Sequence, residues 1–294
     1  YIYYNILNND EFMEVYGFAA GIGKRLKWPD NYFVLYNQLS WQTYRLQNWV
    51  YQFLFNTGIS HNLSYTLSLN RTSTDQQIYP RQGSDFNFSL QLTPPYSLLR
   101  KKDYGVLDAD GNPTKVKDWR DINYNLQTSQ NRYKWIEYHK WKFKAKTYTA
   151  LSGAQKCPVI MTRAEFGLLG HYNKYKKSPF ETFMMGGDGM SGGSYTYATE
   201  IVGLRGYDNG SLTPYSDGYA YTRMAAELRY PLLLENSTII YALAFVEGGN
   251  AWNSIGKFNP FDLKRSAGAG VRIFLPMVGM MGIDWAYGFD PIMG

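Results

Sequence analysis

The chain has 294 residues, of which 45% are apolar, 17% aromatic and only 18% charged, with a net charge of +6. Aromatic and aliphatic content this high excludes a disordered chain. A mean hydropathy of −0.40, without a run of roughly 18–20 apolar residues, excludes a membrane protein built of helices, so an all-β protein, soluble or membranous, remains.

The first residues, Tyr1-Ile2-Tyr3-Tyr4, carry neither a basic region nor a cleavage site. The chain is therefore expected to be mature or truncated, with part of a strand at 1–7. Further strands read at about 16–27 and 32–45. From Asn62 to Asn70, Leu63, Tyr65, Leu67 and Leu69 share one face, and Asn62, Ser64, Thr66, Ser68 and Asn70 take the other. From Asp85 to Leu92 the same period of two sets Phe86, Phe88, Leu90 and Leu92 against Asp85, Asn87, Ser89 and Gln91. Such alternation places one face in an apolar medium and one in a polar medium. Strands follow at about 138–151, 159–171, 219–231, 238–249, 265–275 and 279–289. In the last, Met281, Ile283, Trp285, Tyr287 and Phe289 alternate with Met280, Gly282, Asp284, Ala286 and Gly288.

The polar faces carry charge: Lys142, Lys144 and Lys146 share one face, as do Arg163 and Glu165, and Arg223, Glu227 and Arg229. A transmembrane antiparallel β-barrel puts lipid outside and water or charge pairs inside. Strands of about 10–13 residues suit a tilted crossing, and aromatics cluster towards strand ends, as girdles do. Short turns near 28–31, 79–83, 152–158, 231–236 and 276–279 alternate with long loops near 94–135, 172–218 and 250–264. That alternation is what tight periplasmic turns and large external loops produce. About ten or eleven strands are present. An edge left open in lipid costs several kcal/mol per unpaired backbone group, so the wall is expected to be incomplete or to close with another chain.

Several motifs look chemical and are not expected to be. Gly189-Met190-Ser191-Gly192-Gly193 fits a nucleophile elbow, but His61, His139 and His171 all precede Ser191, against the chain order such hydrolases need. Asp108-Ala109-Asp110-Gly111-Asn112 continues with Pro113 and Trp119 where a calcium loop needs Gly and Glu. Gly21-Ile22-Gly23-Lys24 lacks the flanking residues of a phosphate loop. The histidines have no metal-ligand spacing, and the lone Cys157 reads as an incidental thiol in a turn. No enzyme and no cofactor or metal are expected. A nucleic-acid partner would need the basic stretch from Arg100 to Lys146 to form a packed face with stacking aromatics, and none is expected. Trp119, Tyr124, Arg132, Lys134 and Trp135 suit either a surface partner or lipid headgroups, or a solvated loop.

The informative constellation lies later. Phe180-Glu181-Thr182-Phe183-Met184-Met185-Gly186-Gly187 is followed by Gly203-Leu204-Arg205-Gly206-Tyr207-Asp208-Asn209-Gly210. Then come Phe245-Val246-Glu247-Gly248-Gly249-Asn250-Ala251-Trp252 and Leu263-Lys264-Arg265-Ser266-Ala267-Gly268-Ala269-Gly270-Val271-Arg272. This succession resembles the carboxy-terminal barrel of BamA-type outer-membrane protein insertases, in the superfamily shared with TamA and the two-partner-secretion transporters. The resemblance runs from about residue 60 to 289.

It implies a 16-stranded barrel preceded by POTRA domains, so that 1–294 is an incomplete carboxy-terminal barrel domain without the first four strands and the last. It also implies a sixth external loop folded into the lumen. There the Arg of a Val-Arg-Gly-Phe/Tyr motif, here Arg205 with Leu204 in place of Val and Gly206 and Tyr207 after it, pairs with wall acids. Those acids map onto Glu227 and Glu247, the latter standing where the family commonly has Asp. Gly186 and Gly187 belong to the same loop motif. The implied function is folding and inserting client β-barrels into the outer membrane of a Gram-negative cell, without nucleotide or metal. Its partners would be membrane lipids, unfolded clients and accessory lipoproteins. The alternatives are a two-partner-secretion or TamA-like polypeptide transporter and, from another class, a passive porin.

Overall fold

The computed structural model describes residues 2–8, 10–49, 57–99, 133–173, 177–178, 180–190, 199–213, 218–235 and 238–292. Ser191, Gly192 and Gly193 of the elbow-like pattern, the calcium-loop-like stretch 108–113, and Trp119, Tyr124 and Arg132 lie outside the described residues.

The strands are β1 (Ile2–Asn8), β2 (Glu11–Arg25), β3 (Phe33–Gln47), β4 (Gly58–Thr72), β5 (Gln82–Leu92), β6 (His139–Ala150), β7 (Val159–Gly170), β8 (Thr182–Met185), β9 (Thr199–Val202), β10 (Ala220–Leu234), β11 (Ile239–Trp252), β12 (Lys264–Leu275) and β13 (Gly279–Gly288). Eleven of them form one antiparallel sheet in chain order, with β8 and β9 set aside as a separate parallel pair. The period-two segments are thus the wall, and the wall strands run longer than the alternation alone marks. β4 covers fifteen residues and pairs with β3 without a break from Phe33↔Arg71 to Leu46↔Gly58.

One turn is displaced from its expected place. Pro231 opens the expected turn at 231–236, yet it lies within β10 opposite Tyr241, and the register slips between Pro231 and Leu233. A bulge there absorbs the residue that has no N–H to give the ladder.

The outward face is continuous and apolar. Leu69 stands opposite Phe88, Phe88 opposite Phe143, and Phe143 opposite Phe166, the last pair stacked at 4.9 Å. On β13, Ile283, Trp285 and Tyr287 stand outward and exposed, the placement that a lipid-facing row requires.

The inner face departs from a uniformly polar lining. At the end of the wall where the long loops leave, Met13, Val15, Tyr44, Leu46, Trp49, Tyr138 and Tyr221 join Phe180, Phe183, Met185, Val202, Leu204 and Leu212 in one buried cluster. Tyr44 stacks on Phe180 at 4.0 Å. Aromatics that read as girdle residues therefore include a set inside the wall, because a loop folded inward must find apolar cover for its own apolar side chains. Towards the other end Tyr79, Val159, Tyr241, Leu243 and Phe245 form a second buried cluster.

Trp135 belongs to the wall rather than to an open surface. It lies 5.1 Å from the His61 ring and 5.2 Å from Tyr96, while the His61 N–H donates to the Lys134 carbonyl. Cys157 is buried in its turn, its Sγ 3.1 Å from the Ser152 carbonyl oxygen.

Candidate functional site

The inward loop is organised around the β8–β9 pair. After β8 the chain turns at Gly186 and Gly187, with φ of 126° and 72°, values that only glycine adopts without strain. Gly186 N donates to the Val202 carbonyl and Gly187 N to the Tyr207 carbonyl, both at 3.0 Å. Gly187 and Leu204 also form a β-bridge. Leu204 is fully buried in the apolar cluster, and with that side chain fixed the next residue, Arg205, is presented to the wall.

Arg205 there meets three carboxylates from three strands. Its Nη2 lies 2.6 Å from Glu227 Oε1 on β10 and 2.6 Å from Glu247 Oε1 on β11, and its Nη1 lies 3.3 Å from Asp284 Oδ2 on β13. Its backbone N–H donates to Glu247 Oε2 at 3.1 Å, and its Cζ sits 3.5 Å from the centroid of the Phe245 ring. Glu247, with a fully buried side chain, thus grips both the backbone and the side chain of Arg205. Burial opposes the guanidinium's charge, but the hydrogen bonds and charge of Glu247, with Glu227 behind them, outweigh it and raise the pKa. Tyr207 completes the contact, donating to the Arg265 carbonyl at 2.7 Å and accepting from Asp290 N at 3.3 Å.

Each wall acid also has a partner of its own. Arg229 Nη2 lies 2.7 Å from Glu227 Oε2, Arg223 Nη2 lies 2.9 Å from Glu247 Oε1, and Arg272 binds both oxygens of Asp284 at 2.7 and 2.6 Å. Four guanidiniums therefore share three carboxylates, in the charge-assisted geometry that makes such bonds strong.

A second contact lies on the other flank of the loop. Lys140, Lys142 and Lys144 stand on the inner face of β6. Lys140 Nζ is 2.8 Å from Glu181 Oε2, just before β8, and 3.6 Å from Glu200 Oε2 on β9. Lys142 and Lys144 reach Glu200 at 3.0 and 3.2 Å. Burial alone would raise the Glu200 pKa, but the charges of Lys140, Lys142 and Lys144 hold it at about 2.

The structure brings Arg205, Glu227 and Glu247 together, with Leu204, Gly206, Tyr207, Gly186 and Gly187 shaping the turn beneath them. Asp284, Arg272 and Phe245 were not singled out from the sequence. Asp284 had one available signal, as the sole charge on an inward face otherwise made of Met280, Gly282, Ala286 and Gly288. The Glu181 and Glu200 contacts left no such signal, since neither residue lies on a period-two strand. Among the described residues no cluster of His, Cys, Asp and Glu is arranged to hold a metal. The charged groups are engaged with one another, an arrangement that holds a loop rather than activates a nucleophile.

The comparisons with known proteins bear on the family and the fold. The model of the Omp85 superfamily domain matches residues 7–292. A crystal structure of BamA from Haemophilus ducreyi lacking POTRA domains 1-3 matches with a TM-score of 0.64 at 17% identity, covering 99% of this chain and 54% of that one. The chain thus spans about half the length of that crystallised chain. The comparison with curated proteins returned no match. With nearly the whole chain inside the family match, it belongs to the Omp85 superfamily and crosses the outer membrane with its strands.

Proposed function

We propose that the chain is the barrel part of a BamA-like insertase, which folds client β-barrels into the outer membrane with the help of accessory lipoproteins. The observation that carries this reading is the seating of the inward loop, with Arg205 shared among Glu227, Glu247 and Asp284. A loop fixed to the strands nearest β13 braces the sheet at the place where a client strand would have to be received. In the eleven-stranded sheet β1 and β13 each have one neighbour, and backbone groups unpaired in lipid cost several kcal/mol each. Further strands of a sixteen-stranded wall would complete the pairing, and local bilayer thinning with strand templating at that seam would then promote insertion. Arg205, Glu227 and Glu247 act in this scheme as a lock on wall shape.

The test is insertion of an unfolded client barrel into vesicles by the full-length protein. Insertion that collapses in Glu247→Gln, with the barrel still folded, supports the reading. Unimpaired insertion together with export of a polypeptide across the membrane would instead assign the transporter branch of the superfamily.

A further inference from the structure

The two contacts of the inward loop differ in what they leave behind when broken. At the Arg205 contact the wall is already balanced. Glu227 keeps Arg229, Glu247 keeps Arg223 and Asp284 keeps Arg272, all within 2.9 Å. Withdrawing Arg205 removes the fourth cation from three carboxylates, and every carboxylate retains a guanidinium.

At the β6 contact the wall has no such reserve. The residues opposite Lys140 are Gln91 and Leu169, and those opposite Lys142 are Ser89 and Gly167. Among the described residues the only carboxylates within 4.0 Å of Lys140 and Lys142 are Glu181 and Glu200, and both belong to the loop. Lys144 faces Glu165 on the neighbouring β7, but Glu165 is paired with Arg163 at 3.5 Å. The next inward residue, Lys146, stands between Asp85 on β5 and Arg163 on β7, so the wall itself balances it and only Lys140 and Lys142 depend wholly on the loop. Lifting the loop from β6 would therefore leave Lys140 and Lys142 without a carboxylate, the costly outcome of removing one partner from a buried pair. With the loop seated, Lys140 is buried and lies 5.1 Å from the ring of Phe183, a residue of the loop itself, so the loop supplies both its carboxylates and its apolar cover.

We propose that Glu200 and Glu181 are positioning residues forming the fixed end of a hinged lumen loop, seated on Lys140, Lys142 and Lys144, and that Arg205 is its releasable end. The loop then swings from β6, and its Arg205 tip docks on or leaves the β10–β13 side without stranding a charge in the wall. This rests on the proposed bracing role of the loop and adds which end yields.

The test uses the full-length protein in outer-membrane vesicles, with Cys157→Ser as background and a spin label at Ile201→Cys or Asp208→Cys. Arg205→Gln is expected to raise mobility at 208 and leave the spectrum at 201 unchanged. Glu200→Gln is expected to lower the thermal midpoint of the barrel further than Arg205→Gln does. Adding Lys142→Gln and Lys144→Gln to Glu200→Gln should recover most of that loss, because the stranded charges are gone. The hinge is overturned if Arg205→Gln destabilises as much as Glu200→Gln, if it mobilises position 201, or if the triple variant shows no recovery. Client insertion is measured separately, so a failed hinge leaves the insertase reading standing, and lost insertase activity leaves the hinge standing.

Discussion

Gly206 and Gly288 meet backbone to backbone: a Cβ on Gly206, whose φ is +90°, would lie 2.9 Å from the Gly288 nitrogen. This contact between the loop tip and the end of β13 lets Arg205 and Tyr207, on either side of Gly206, reach the wall together. Gly206→Ala is expected to cost roughly 1–3 kcal/mol through the left-handed conformation alone. The close approach adds to it. A lowered temperature for the folded-to-unfolded gel shift checks the outcome, and an unchanged shift would show that the tip has another way to pack.

Removing Arg205 should cost less than its central place suggests. Orphaning a buried charge typically costs roughly 3–5 kcal/mol, but each carboxylate here keeps a wall arginine. Arg205→Ala is expected to fall below that range. Glu247→Gln should cost more than Arg205→Ala, because Glu247 serves Arg205 and Arg223 at 2.6 and 2.9 Å. Chemical unfolding of the two variants side by side ranks them.

The β6 contact should survive mild acid. The folded Glu200 pKa of about 2 lies below its ordinary value of 4.5, so its stabilisation is complete above 4.5 and is lost as pH falls through about 2. The groups around it are Lys140, Lys142 and Lys144, with Glu181 and Tyr221 nearby. A label at position 201 should give the same spectrum at pH 7 and pH 5 and a mobile one only near pH 2. Mobilisation already at pH 5 would contradict the arrangement.

Adjacent residues of β10 should respond oppositely to charge. Leu228 faces outward and is half exposed, whereas Arg229 faces inward against Glu227. Leu228→Arg is expected to destabilise the barrel in membranes by about 2–4 kcal/mol if it sits near the bilayer midplane. The measurement is refolding into lipid vesicles, with Arg229→Leu as the inward comparison.

Strand identity and facing were legible because they need only a local period of two. Leu63 to Leu69 and Phe86 to Leu92 show this, and the inward placing of Arg223, Glu227 and Arg229 follows from it. Which inward groups touch was not legible, since it depends on register between strands: Asp284 stands opposite Gly270 on β12, the strand that separates it from Glu247 on β11. The motif resemblance supplied Arg205, Glu227 and Glu247 but not the matching guanidiniums Arg223, Arg229 and Arg272. The lysine row on β6 was visible as a row. Its partner was not, because Glu200 reaches it only after β9 pairs in parallel with β8, a contact between segments that carry no strand rhythm of their own. The apolar interior escaped for a similar reason: Tyr44 and Tyr138 look like girdle residues until Phe180 and Phe183 are folded against them.

That packed interior bears on what the envelope lets through. A hydrated ion or a small toxic solute entering from outside meets Trp49, Tyr138, Phe180, Phe183 and Leu204 in contact, where shedding a water shell finds no replacement ligands. On the insertase reading proposed above, such an interior would deny solutes a path through the lumen while the strand seam receives a client from within the membrane.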